Sequence, residues 1–436
     1  MTPPSGWTTV KLQVTTPLFN AGHEQTGSGI RVPSVRGAMR FWFRALAGTV
    51  AGPDLALLAL LEEAVFGSAK LPSAIKMRIR VQPPACRDRQ PNFIRQPGPR
   101  PGHRPAAVGR GGLRQGRDDG KWIAYLLGQG LADAVDRALL RDFVEPGKSV
   151  EIDFRFSGNE DAGALALAAL WLMCAYGGLG ARTRRGFGGL RITGSSSDLP
   201  GHWTEESLLS PGLDHYGKLL ALWPSEVVSQ SQQAMLTLAR LSGADVRRPE
   251  GGEAWTSRPS YPVLSQHWTR AALWAGNTEP DWKRVLGFAG EQYRWFRARE
   301  DSPGVPYRPQ IKTPEWLNVT GHGDDRFGLG ALGLPIVFKK DGPTVHADHA
   351  ERGRPAPLRR ASPLWLRAVG EEQRWKLFSF AFQAAFLPDD AAVHIWRGTR
   401  QRKAMTVTDD DLAERTDGWI DAMRGRQNFI RSPELR

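Results

Sequence analysis

Residues 150–193 read VEIDFRFSGNEDAGALALAALWLMCAYGGLGARTRRGFGGLRIT, and the fold turns on the changes of period inside this stretch. Val150, Ile152, Phe154 and Phe156 alternate with polar residues, as a half-buried strand does. Residues 162–176 then run apolar for about fifteen positions, too long for a strand, which predicts a helix packed on a sheet. Leu190–Thr193 is a further strand. The span 162–181 contains no charge, which is nominally enough to cross a bilayer. Its glycines at 163, 177, 178 and 180 end the helix near Tyr176, so the sequence argues against a membrane.

Working towards the N-terminus, Val10, Leu12 and Val14 alternate with Lys11, Gln13 and Thr15, predicting a strand over residues 8–16 that ends at Pro17. From Ser34 onward, Val35, Ala38, Met39, Trp42, Phe43 and Leu46 fall within about 140° of one another at helical spacing, a core-facing stripe. Leu55–Phe66 reads as a second short helix, and Ile75, Met77, Ile79 and Val81 as a second strand. The order is β-α-β-β-α-β. That order belongs to a ferredoxin-like α+β domain over residues 1–198, whose antiparallel sheet has both helices on one face and its other face open to a ligand. Residues 83–120, rich in Pro, Gly and Arg, interrupt it and are expected to form a mobile insertion or surface loop.

Beyond residue 198, helical stretches are expected near 213–243 and 268–299, separated by a Pro/Gly/Arg-rich segment at 246–262. Short strands are expected at Leu334–Lys339, Leu364–Val369, Leu377–Phe386 and Val393–Trp396, with Phe378, Phe380 and Phe382 alternating on one face. These predict a second sheet-and-helix domain over residues 199–436.

The chain has 436 residues, and Lys+Arg exceed Asp+Glu by 58 to 45, a net charge of +13 that favours a polyanionic partner. Cys86 and Cys174 are the only cysteines, which excludes a disulfide framework and a cysteine-based zinc or iron–sulfur site and fits a reducing cytoplasm. The opening Met1-Thr-Pro-Pro-Ser-Gly6 has no basic n-region or apolar h-region of the kind a secretion signal carries, so export is not expected. No Gly-x-x-x-x-Gly-Lys-Ser/Thr occurs, which excludes a P-loop, and Gly328-Leu-Gly330-Ala-Leu-Gly333 precedes a strand instead of following one, against a dinucleotide site. His346, Asp348 and His349 lack an evident further ligand. No cofactor or metal is expected.

Two segments carry the functional reading. Residues 177–189 set six glycines, Gly178, Gly180 and Gly186 among them, around Arg182, Arg184 and Arg185, with Phe187 as a stacking surface for an unpaired base. Glycine lets a backbone approach a ligand closely, and the guanidinium fork matches phosphate oxygens. The plainer alternative is a hairpin connection with solvated arginines. On the first helix, Arg36, Arg40 and Arg44 recur every four residues beside Trp42, and like charges so placed repel. Arg36 opposes the helix dipole unless an anion binds at the N-terminus, where Arg31 would join it. Phe41 is expected to face a base or another subunit. His23 is a candidate general acid or base, or a surface residue near RNA. The expected RNA site is therefore His23, Arg31, Arg36, Arg40, Phe41, Trp42, Arg44 and the 177–189 loop, converging into one cradle.

Thr15-Thr-Pro-Leu-Phe19, Val35-Arg-Gly-Ala-Met-Arg-Phe-Trp-Phe-Arg-Ala-Leu-Ala-Gly48 and Gly177–Gly189 together resemble the repeat-associated mysterious proteins (RAMPs) of CRISPR systems. The arrangement is most similar to first subunits of the type III-B (Cmr) effector. Leu332-Gly-Leu-Pro-Ile-Val-Phe338 and Ser362-Pro-Leu-Trp-Leu-Arg367 are also similar to those subunits. Relatives often carry Gly-Gly-Ala in the first loop, where this chain has Asn20-Ala-Gly22-His23. The resemblance implies two ferredoxin-like domains and a non-catalytic place at one end of a guide-RNA complex. Its partners there would be guide RNA, single-stranded target RNA and other Cmr subunits. Two alternatives remain: a metal-independent endoribonuclease using His23, and an assembly adaptor without RNA contact.

Overall fold

Strand β1 (Thr8–Val14) sits at the heart of a four-stranded antiparallel sheet, and its alternation explains why: Val10, Leu12 and Val14 are buried while Lys11 faces out. The structure, a computed structural model, describes residues 6–20, 29–95, 118–133, 135–196, 198–218, 225–244, 255–298, 314–321, 323–338, 342–351 and 354–425. After β1 come α1 (Val32–Ala51), α2 (Leu55–Phe66), β2 (Ile75–Val81), α3 (Asp119–Leu127), β3 (Ser149–Phe156), α4 (Glu160–Tyr176) and β4 (Leu190–Ser195). The sheet order is β2-β3-β1-β4, so the first and third strands lie side by side in the middle and the β-α-β-β-α-β order predicted from the sequence is present.

Local chemistry places the helices. The Asp54 carboxylate accepts from the amides of Ala56 and Leu57 to start α2, and the Asn159 side chain accepts from Asp161 to start α4. Residues 162–176 of α4 are buried all round, which accounts for a run apolar enough to suggest a membrane. Among the described residues no helix is long and apolar enough to cross one.

The chain continues through α5 (Glu205–Leu208), α6 (Leu213–Lys218), α7 (Ser225–Leu241), β5 (Thr269–Leu273), α8 (Trp282–Ala298) and α9 (Pro314–Thr320). Then follow β6 (Ile336–Val337), β7 (Thr344–Glu351), β8 (Arg354–Leu358), β9 (Leu364–Glu371), β10 (Arg374–Phe382), β11 (Ala391–Arg397), β12 (Arg400–Met405) and α10 (Asp409–Met423). Two antiparallel sheets form. One has the order β5-β10-β9, and the other β12-β11-β7-β6 with β8 on β7. Taken with α8 and α10, the first of these repeats part of the N-terminal arrangement, because its first and third strands again lie side by side. The other sheet is assembled from two insertions, one before β9 and one after β10.

Several expectations need correction. The stretch 268–299 is not one helix: Thr269–Leu273 pairs with β10, because Ala271 and Ala272 are small enough to lie under two packed layers. The strand expected at Leu334–Lys339 is split: Ile336 and Val337 pair with β7, Leu334 bridges separately to Arg360, and Lys339 lies outside the described residues. His346, Asp348 and His349 lie in strand β7, and Asp348 meets the His394 ring at 3.1 Å. Residues 83–95 are not a free insertion. Cys86 exchanges backbone hydrogen bonds with Phe143, Phe93 and Ile94 are buried, and only the continuation to residue 117 lies outside the described residues. Composition hid this because two apolar residues suffice to anchor a polar segment.

The cores interlock. Phe378, Phe380 and Phe382 do share one face, as their alternation predicts, and they pack with Trp365 against Trp42 of α1 and Tyr176 of α4. The opposite face of β9 and β10, with Leu364, Leu366, Leu377 and Ala381, packs on α8 and α10. Helix α7 covers α1, α2 and α4, so the segment after residue 198 also builds the first core.

Truncating Trp42 to Ala removes the ring common to both halves and is expected to cost ~3–5 kcal/mol. Calorimetry should show one transition at lower temperature with both halves melting together. A second, unshifted transition would mean that the halves are independent.

Candidate nucleic-acid interface

Helix α1 opens with Pro33 in its first turn but without a side-chain cap. Its N-cap is Arg31, with extended backbone (φ −116°, ψ 140°), no side chain accepts from its first amides, and no acidic residue lies in its first turn. The positive end of the helix dipole therefore coincides with Arg31 and Arg36. Arg36 donates from Nη2 to the Ile75 carbonyl at a long 3.4 Å, and its buried Nε has no hydrogen-bond partner among the described residues. An anion at this helix end would meet the amides of the first turn beside Arg31, while the Arg36 guanidinium reaches along the helix to the start of β2.

The other two arginines of the stripe share one carboxylate. Glu62 of α2 takes Arg40 on one carboxylate oxygen and Arg44 on the other, the latter at 3.2 Å. Repulsion along α1 is thus relieved by a neighbouring helix, which spacing within α1 does not reveal.

The glycine-rich segment 177–189 is a packed bearing more than a free loop. Gly188 has φ +67°, and a Cβ there would lie 1.9 Å from the Leu179 carbonyl oxygen. Gly180 has φ +89° and would clash in the same way with the carbonyl of Phe19. These glycines let the segment close on itself and on residues 17–19, through the amide of Gly188 to the Pro17 carbonyl and that of Ala181 to the Phe19 carbonyl. Gly178 backs directly onto Gly188, and Gly186 lies against Leu286 of α8.

Its arginines diverge. Arg184 lies over the Trp365 ring at 5.0 Å and the Phe41 ring at 5.7 Å and donates from Nη1 to the Ser362 carbonyl; its backbone carbonyl accepts from Leu366. Burial, with Arg360 and Arg185 nearby, pulls its pKa down to about 10. Arg185 sits 4.1 Å from the centre of the Tyr293 ring. Burial pushes the Tyr293 phenol up, but Arg185 and Arg297 beside it outweigh this and leave it below the usual value. Only Arg182, at φ +63°, stays at the surface, with its guanidinium over Gly128.

Three aromatic assignments are therefore corrected. Phe187 is fully buried, edge-on to Phe19 at 6.0 Å, and cannot stack on a base. Trp42 is buried in the seam between the halves. Phe41 does project away from the helix's own core stripe, but what meets it is Trp365 at 5.7 Å, Phe382 and Arg184 of the same chain. Helical spacing gave its direction and could not show that the chain returns to cover it. His23 lies outside the described residues.

The structure does bring the two segments together, in two places. Inside, Phe41 meets Arg184. Outside, Asn20 donates to the Gly29 carbonyl at 2.7 Å, which links the Phe19 turn under Gly180–Arg182 to the approach into α1. The solvent-facing set is Arg31, Arg36, Gly180 and Arg182, a smaller corner than expected.

A second basic surface went unassigned in the sequence. On the open sheet face, Lys11, Lys76, Arg78, Arg80 and Arg155 lie on the outer positions of β1, β2 and β3. Asp153 is buried among them, accepting from Thr9 at 2.7 Å and Arg78 at 2.8 Å, and Arg78 covers the Trp7 ring at 4.4 Å. The period-two recurrence of Lys76, Arg78 and Arg80 was the signal that could have found it.

Residues 11–191 match the RAMP superfamily model. Cmr subunit Cmr1-1 of the CRISPR system of Pyrococcus furiosus is 29% identical over 376 residues, 84% of each chain. Subunit Cmr1-2 of the same organism is 28% identical over 193 residues, 42% of this chain and 92% of that one. The crystal structure of apo Cmr1 from Pyrococcus furiosus superposes over 97% of both chains with a TM-score of 0.52 at 18% identity, which shows a common fold.

Replacing Arg184 by Ala is expected to lower stability by ~1–3 kcal/mol, because a buried carbonyl loses its donor and two rings lose their cover. It should leave the salt dependence of RNA binding unchanged. A reduced slope with unchanged melting temperature would return Arg184 to the ligand surface.

Proposed function

We propose, from the premise that this chain belongs to the RAMP superfamily through residues 11–191, that it is an RNA-binding subunit of a type III-B CRISPR effector acting in antiviral defence. Its partners are guide RNA, single-stranded target RNA and other Cmr subunits. It holds RNA near one end of the assembly without catalysing a reaction, and base pairing between guide and target supplies the sequence selection. The relatives named Cmr subunits support the complex. The same reading takes residues 1–198 and 199–436 as two ferredoxin-like domains, in the second of which β5-β10-β9 with α8 and α10 keeps the strand order of the first.

One observation supports the contact to RNA: the N-terminus of α1, with Arg31 at its N-cap and no acid in its first turn, is linked through Gly29, Asn20 and Phe19 to the exposed corner Gly180–Arg182. Backbone amides and guanidiniums there suit a phosphate, with the helix end adding about 0.3–1 kcal/mol per anion. In this reading Arg40 and Arg44, held by Glu62, shape the helix surface, while Trp42, Phe187 and Phe41 support it from within.

Three phosphate contacts on a single strand account for roughly 2 units of the log–log salt slope. Replacing Arg31, Arg36 and Arg182 together by Ala should therefore lower the slope for labelled single-stranded RNA by about 2. An unchanged slope would favour the assembly adaptor. Cleavage of that RNA in EDTA, abolished by His23→Ala, would replace this reading with the endoribonuclease.

A further inference from the structure

Where β4 and α4 of the first half meet β9 and β10 of the second, a pocket that opens on one side to solvent and encloses about 20 Å³ lies between Thr15, Cys174, Arg191, Ser210, Tyr216, Arg367 and Trp375. That is room for about one water-sized body. Arg367 comes from the buried strand β9 and is 5% exposed. Its Nη2 donates to the Cys174 carbonyl at 2.8 Å, while Nε and Nη1 are buried with no hydrogen-bond partner among the described residues. No carboxylate among the described residues pairs with it.

A guanidinium cannot shed its proton to escape this environment, since its pKa lies far above neutrality even when lowered. A buried charge costs several kcal/mol unless it is compensated. The neighbouring acids do not compensate it. Burial pushes the Cys174 thiol and the Tyr216 phenol each up to about 12, so both are neutral at pH 7. The Tyr216 hydroxyl donates to the Ala175 carbonyl at 2.9 Å. The other charged group on the wall, Arg191, is also a cation; it spends one nitrogen on Glu371 and one on the Gly370 carbonyl. The Ser210 oxygen accepts from the Ile192 amide at 2.8 Å, which leaves the hydroxyl proton to donate.

We propose that this cavity binds one monatomic anion, of the chloride class, which is held by Arg367 and clamps the two halves together. Water would satisfy the unpaired N–H groups but not the charge. A phosphate or other multi-oxygen anion exceeds the enclosed part of the pocket. The ligand is thus selected twice, by sign and by size, at a point where both halves contribute walls.

The test uses the full chain at constant ionic strength, with sodium chloride or bromide exchanged against sodium gluconate, whose anion is too large to enter. An anion bound only by the folded state stabilises in proportion to the logarithm of its concentration. For 436 residues this is a melting shift of about 1.5 °C per tenfold halide above its dissociation constant. Arg367→Met, which keeps the length of the side chain and removes its charge, should abolish the shift. If that variant does not fold, anomalous diffraction from bromide-soaked wild-type crystals decides the matter, with a peak expected within hydrogen-bond reach of Arg367 Nη1. The absence of any halide dependence, a shift that persists in Arg367→Met, or an anomalous map without a peak there would each overturn the assignment.

Discussion

Everything in this molecule leans on an aromatic seam. Trp42 of α1 lies 5.5 Å from Trp365 and 5.9 Å from Phe380, and Trp365 stacks on Phe380 at 5.4 Å with their planes 14° apart. Large rings dominate core energetics because each buries so much surface, and offset or edge-on contacts add to that. The seam leaves β9 and β10 covered on both faces, by α1, α4 and α6 on one side and by α8 and α10 on the other. The two halves therefore share a core, and anything that shifts one repositions the corner from which α1 starts.

The seam also sorts the arginines into two populations. Arg184, Arg185 and Arg367 have been drawn inside, where their planar heads lie on rings or donate to carbonyls, a use for which Lys is poorly shaped. Arg31, Arg36 and Arg182 remain towards solvent at the start of α1 and the bend of the glycine-rich segment. A net charge of +13 consequently overstates the surface on offer to a polyanion, because part of it acts as internal mortar. Glu62 narrows it further by occupying Arg40 and Arg44.

Much of the fold was legible because it is locally encoded. The alternation of Val10, Leu12 and Val14, the stripe ending at Leu46 and the apolar run to Tyr176 each follow from burying one side of a regular element. Legibility declined after residue 200. There the strands are short, β5 reads like the start of a helix, and the inserted sheet is assembled from segments separated by β9 and β10. The candidate site was legible in part: helix α1 does meet the 177–189 segment, through Phe41 and Arg184 at the seam, and the approach to α1 is tied to it through Asn20 and Gly29, whereas Arg36 turns to the Ile75 carbonyl of β2.

The amino-acid order alone determined the β-α-β-β-α-β course of the first unit and the extents of α2 and the apolar run of α4, since periodicity acts over a few residues, but it missed α3 and both ends of α1. Only the tertiary structure decided that Phe41, Trp42 and Phe187 point into protein, that Arg184 and Arg185 bind the halves together, and that Arg367 is buried without a counter-charge among the described residues. Exposure depends on what returns from hundreds of residues away, and no local pattern carries that information.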